Sequence, residues 1–139
     1  MLVVDANIIV YLKCNNERTA VAQRAYARDQ YWLVPALWRH EFLNALVCFC
    51  QRDIYTVDEA AGILHDALAG FAPQERHVNH DAALRVAVQH HISGYDAQYL
   101  ALAQEFGVRL LTENKELLRK FPAVAISLHA FCSGTPQSP

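Results

Sequence analysis

Asp5, Glu41 and Asp96 each interrupt or open an apolar stretch of this sequence, where a charged side chain stands among hydrophobic neighbours. Asp5 ends the run LVVD, and Asn7 follows two residues later. An acid there can simply cap a turn. Glu41 lies in ALWRHEFLNALVCFC, whose only polar interruption is Arg39, His40, Glu41 and Asn44; Glu41 and Asn44 are three apart and share a helical face. A carboxylate embedded among Trp38, Phe42, Leu43 and Ala45 costs several kcal/mol unless a cation compensates it, whether an internal arginine or a bound metal. Asp96, in SGYDAQYLALA, sits three residues after Ser93, a spacing that also suits a helix cap. In LLTENKELL, Thr112 precedes Glu113, Asn114 and Glu116, a cluster that helix-start electrostatics alone would explain.

The combination implies more than each part. Mg²⁺ and Mn²⁺ prefer hard oxygen ligands and keep several waters, so a site for them draws two or more carboxylates from different elements. Such ions lower the pKa of an attacking water and stabilise a leaving oxygen, which is what phosphodiester hydrolysis requires. Three acids remote in sequence, each at the edge of an apolar element, fit that chemistry.

The elements that must position them alternate. LVVD at 2–5 reads as a short, doubly buried strand, and YWLV at 31–34, VRLL at 108–111 and VAISL at 124–128 as further strands, with a weaker one at 76–79. Helices are expected from Asn15 to about Arg28, from Pro35 to about Gln51, behind a Thr56/Glu59 capping box, over 81–90, from Ser93 to Gly107 and from Glu113 to Lys120. Short apolar strands alternating with helices predict an α/β domain, a mostly parallel open sheet of four or five strands with helices on both faces. Ligand sites of such sheets lie beyond the carboxyl ends of the strands, where Asp5 and Thr112 are expected. Residues 1–131 are read as one domain and 132–139 as a flexible C-terminal tail.

Composition narrows the alternatives. A chain of 139 residues, 53 % hydrophobic and 19 % charged, can bury a core without disulfides or a structural metal. The four cysteines, Cys14, Cys48, Cys50 and Cys132, form no CxxC pair, and the seven histidines show no HxxxH or HExxH spacing, so a zinc site lacks its usual signature. No apolar run is long enough to span a membrane, and Asp5 breaks the one early apolar stretch, so a cytoplasmic protein without a signal peptide is expected. The net charge of −2 argues against a long basic nucleic-acid footprint, though not against a short strand held partly through metal ions.

Four segments together, MLVVDANIIVYL, LWRHEFLNAL, SGYDAQYLALA and LLTENKELLRKFP, resemble in order and spacing the PIN-domain ribonucleases, most closely the VapC-type toxins of toxin–antitoxin pairs. The likeness spans about residues 1–130. It implies a Mg²⁺- or Mn²⁺-dependent endoribonuclease in which Asp5, Glu41 and Asp96 are the principal metal ligands. The family's fourth, more variable acid falls at Asn114, a weaker fourth ligand that offers a carbonyl oxygen but no charge, so a second metal would bind more weakly or Glu113 or Glu116 would have to substitute. Supporting roles around the ligands are implied for Asn7, Asn44, Thr112 and Glu113. The resemblance further implies an RNA substrate, a homodimer and a cognate antitoxin, with Tyr11, Tyr26, Tyr31 and Trp32 as candidate interface aromatics. Two other readings are weighed: a PIN fold weakened at Asn114 that binds RNA or antitoxin and cleaves poorly, and a phosphoacceptor domain of receiver or haloacid-dehalogenase type. The second would use Asp5 with Thr112 and Lys115 or Lys120. It suffers from Asp53 following a helix-like segment and from Asn at position 7 in place of an acid.

Overall fold

A computed structural model describes residues 1–134. Four short parallel strands, β1 (Leu2–Val4), β2 (Trp32–Leu33), β3 (Arg109–Leu111) and β4 (Ala125–Ile126), form one sheet in the order β2-β1-β3-β4. Leu2 pairs with both Trp32 and Arg109, and Leu110 with Ala125. All three residues of β1 are buried although alternate side chains point to opposite faces, so both faces of the central strand are covered. Among the described residues, seven α-helices lie between the strands and an eighth follows β4: α1 (Ala6–Lys13), α2 (Thr19–Arg28), α3 (Trp38–Gln51), α4 (Val57–Phe71), α5 (His80–His90), α6 (Gly94–Phe106), α7 (Lys115–Lys120) and α8 (Leu128–Ser133). The single α/β domain expected from the sequence is thus formed, with four strands among the described residues.

Local chemistry accounts for most boundaries. Thr56 and Glu59 close a reciprocal capping box at the start of α4. Ser93 caps α6 by accepting the Asp96 N–H at 3.0 Å, and α6 stops at Gly107, whose φ of +65° suits a residue without a Cβ.

Several boundaries differ from expectation. Helix α1 went unanticipated because Ala6, Ile8, Ile9 and Val10 are all buried, so no polar stripe marks a helical period. Helix α2 begins at Thr19, not Asn15, because the Thr19 hydroxyl folds back on the Tyr11 and Cys14 carbonyls and holds 15–18 as a turn. The weak strand at 76–79 is reduced to one bridge between Val34 and Glu75. Helix α7 starts two residues late because Asn114 is its cap. VAISL keeps only two strand residues before Ser127 caps α8, which runs to Ser133; Cys132 and Ser133, placed in the tail by the sequence reading, are therefore helical. The rest of that tail, 135–139, lies outside the described residues. Trp32 is fully buried against Tyr26 and Phe71, which removes it from the candidate interface aromatics.

Chain order explains where a site must form. From β1 the chain adds β2 on one side, then crosses to place β3 on the other. The two crossovers diverge at the carboxyl ends of β1 and β3 and leave a crevice there. Asp5 and Thr112 are the residues that follow those two strands.

Candidate active site

Asp5 occupies the N-cap position of α1 but does not cap it. Its backbone N–H continues the β1–β3 ladder to the Leu111 carbonyl at 3.0 Å, which fixes the side chain over the crevice. Oδ2 accepts a 2.8 Å hydrogen bond from the buried Thr112 hydroxyl. Burial pushes the carboxyl above its ordinary range; the Thr112 bond opposes this, the charge of Asp96 adds to it, and the Asn7 and Ala6 N–H groups oppose it weakly.

Glu41 enters from the first turn of α3, half-buried. The internal arginine that might have neutralised it is absent: Arg39 instead holds Glu75 at 2.6 Å. The partner is Tyr99, whose phenol donates to Glu41 Oε1 at 2.6 Å. Burial raises the Glu41 carboxyl, the Tyr99 bond lowers it, and the charges of Asp5 and Asp96 raise it further. Asp96 comes from the first turn of α6, where the cap orients it and Asn114 donates to its Oδ2 at 3.3 Å. Its carboxyl too is raised, by burial first and by the nearby charge of Glu116.

The charge of Asp96 raises Asp5, the charges of Asp5 and Asp96 raise Glu41, and among the described residues none of the three pairs with a lysine, arginine or histidine. Buried or half-buried carboxylates without a cationic partner suit a bound divalent cation. No three Asp, Glu, His or Cys side chains among the described residues surround one point as direct ligands. A hard divalent ion, which keeps several of its waters, would be held by these carboxylates partly through water.

The supporting residues divide. Thr112 is central: it donates to Asp5 and accepts the Asn114 N–H at 3.0 Å. Asn114 faces Asp96 with its amide nitrogen, while its Oδ1 accepts the N–H groups of Glu116 and Leu117 at 3.0 and 3.3 Å. Flipping the amide would set an oxygen against a carboxylate and an NH₂ against two N–H donors, so the network fixes this orientation. The oxygen that would ligate an ion is engaged in capping α7. Glu113 points elsewhere, accepting the Leu128 N–H at 2.8 Å and meeting Arg18 at 3.5 Å. Glu116, not Glu113, is the additional acid that Asp96 senses. Asn7 and Asn44 are exposed, on the first turn of α1 and one turn beyond Glu41. Asp53 lies exposed in the turn after α3 at a φ of +59° and does not follow a strand, as a receiver-type acceptor would.

Sequence reasoning missed Tyr99. Two signals pointed to it: Tyr99 lies three residues after Asp96, on the same face of α6, and a phenol inside the apolar run AQYLALA needs a polar partner.

This fold is that of the PIN domain, whose family profile matches residues 2–123. The chain belongs to the PIN-domain family, and its likeness is to the VapC-type members. It is 34 % identical over 126 residues to Ribonuclease VapC3 of Pyrobaculum aerophilum, covering 88 % of this chain and 96 % of that protein. The crystal structure of PAE2754, also from Pyrobaculum aerophilum, superposes with a TM-score of 0.72 at 27 % identity over 94 % of this chain and 92 % of the other.

Proposed function

We propose that this chain is a divalent-metal-dependent endoribonuclease acting as the toxin of a toxin–antitoxin pair. The observation that carries the reading is the set of three uncompensated carboxylates, Asp5, Glu41 and Asp96, at the β1–β3 switch point. Kinship with a protein named as a VapC ribonuclease supports the substrate class and the pairing with an antitoxin. A bound Mg²⁺ or Mn²⁺ would supply an activated water and charge neutralisation at the scissile phosphate. The protein's part is to hold the ligands. Thr112 orients Asp5, Tyr99 orients Glu41, and Ser93 with Asn114 orients Asp96. The same negative pocket repels an RNA phosphate until a cation occupies it, which ties substrate binding to metal binding. It also suits a basic side chain from an antitoxin. RNA as substrate sets the place of action in the cytoplasm. Among the described residues, no helix is long and apolar enough to cross a membrane. Assembly as a homodimer completes the proposal.

The test is cleavage of single-stranded or loop-containing RNA with Mg²⁺ or Mn²⁺, with EDTA and Asp5→Asn as controls. Cleavage should require the metal and vanish in the variant; undiminished cutting by Asp5→Asn would refute the assignment. One observation favours a second reading, a PIN fold that binds RNA or antitoxin but cleaves weakly: Asn114 adds no charge and its oxygen is engaged in the α7 cap. Calorimetric titration with Mn²⁺ separates the two, since that reading expects no measurable binding.

A further inference from the structure

The Tyr99 side chain is among the largest wholly buried groups in the protein, yet its one polar atom sits at the acidic crevice. Two acid-bearing elements meet at that atom. Tyr99 belongs to α6, one turn beyond Asp96. Its hydroxyl donates to Glu41 of α3 at 2.6 Å.

From this geometry we infer that Tyr99 is a positioning residue for the metal site, acting through Glu41. The inference rests on the metal-dependent reading above. A carboxylate has two oxygens and, on a helix, freedom to rotate about its side-chain bonds. The phenol engages Oε1 and so restrains the whole carboxylate, and Oε2 would be the freer oxygen for an ion. Small octahedral ions tolerate little error in ligand placement, so an oxygen held by a rigid, buried donor is worth more than one that samples several rotamers. A phenylalanine fills the same space without the hydroxyl, so the substitution removes the positioning bond and little else.

The experiment is a Mn²⁺ titration of the full chain followed by electron paramagnetic resonance of the free ion, on wild type and Tyr99→Phe. RNA cleavage is measured across the same Mn²⁺ range, and near-UV circular dichroism checks packing. Tyr99→Phe should keep its packing signature and bind Mn²⁺ about 10–100-fold more weakly, the usual loss when a ligand's supporting hydrogen bond is removed. Cleavage lost at low Mn²⁺ should return when Mn²⁺ is raised in proportion, which a purely structural role would not produce. Equal Mn²⁺ affinity in the two proteins, cleavage that no Mn²⁺ concentration restores, or loss of the folded signature would each overturn the inference while leaving the metal-dependent reading intact. Failure of wild type itself to bind Mn²⁺ would overturn both.

Discussion

Replacing Thr112 by valine tests the arrangement around Asp5 most directly, because the two residues are nearly isosteric and both partners are buried. Thr112 is 0 % exposed and Asp5 7 %. The substitution deletes the 2.8 Å bond to the carboxylate and removes the acceptor of the Asn114 N–H. A buried hydrogen bond to a charged group contributes about 1.5–3 kcal/mol. The Asn114 N–H is less costly to orphan, since the residue is half-buried and water can reach it. A total loss of about 2–4 kcal/mol is expected at neutral pH from the sum of a charged and a partly compensated bond. The loss depends on pH with a definite sign. Thr112 favours the ionised carboxylate, so its removal raises the folded-state Asp5 further above its unfolded value. The penalty is present in full above that folded value and shrinks as pH falls through it, because the bond to a neutral carboxyl contributes only about 0.5–1.5 kcal/mol. Urea denaturation at pH 7.5 and pH 4.5 measures both quantities, and the neutral-pH midpoint should fall by about 1–2 M for typical denaturant slopes. A loss below about 0.5 kcal/mol, within the range of an ordinary surface substitution, would refute the bond. A loss that grew as pH fell would contradict the sign.

Metal should act as a stabiliser: Mn²⁺ at a hundred times its Kd should add about 2.7 kcal/mol to wild type, several degrees in Tm, and nothing to Asp5→Asn in a thermal-shift assay. In metal-free protein, Asp96→Asn should be more stable than wild type at pH 7–8. The raised Asp96 carboxyl contributes stability that is complete below its unfolded value near 3.8 and lost as pH rises through its folded value, so the variant's advantage should disappear on acidification. Parallel melts over that pH range check the sign, and an advantage growing toward acid would contradict it. Glu75 accepts both the Arg39 guanidinium and the Trp38 indole N–H, the latter at 3.1 Å. Glu75→Ala should therefore cost about 1–3 kcal/mol by orphaning a buried donor, whereas exposed Arg39→Ala should cost much less; equal losses in denaturation would show that the indole bond contributes nothing.

What the sequence determined by itself is what short-range physics controls. The α4 capping box, the Ser93 cap, the stop at Gly107 and the buried central strand are legible because their partners lie within a few residues or within one alternating pattern. The likeness to the PIN family also rested on local motifs, and it located Asp5, Glu41 and Asp96 without showing what surrounds them. Only the tertiary structure decided their partners. Tyr99 and Glu41 are 58 positions apart, Thr112 and Asp5 107, and no local rule couples such distances. The same holds for the turning of Glu113 toward α8, for the engagement of the Asn114 oxygen by α7, and for α1, hidden because it is buried almost all round. Which polar atoms face one another across a core depends on how crossover helices pack on a twisted sheet, a property of the assembled chain and not of any segment of it.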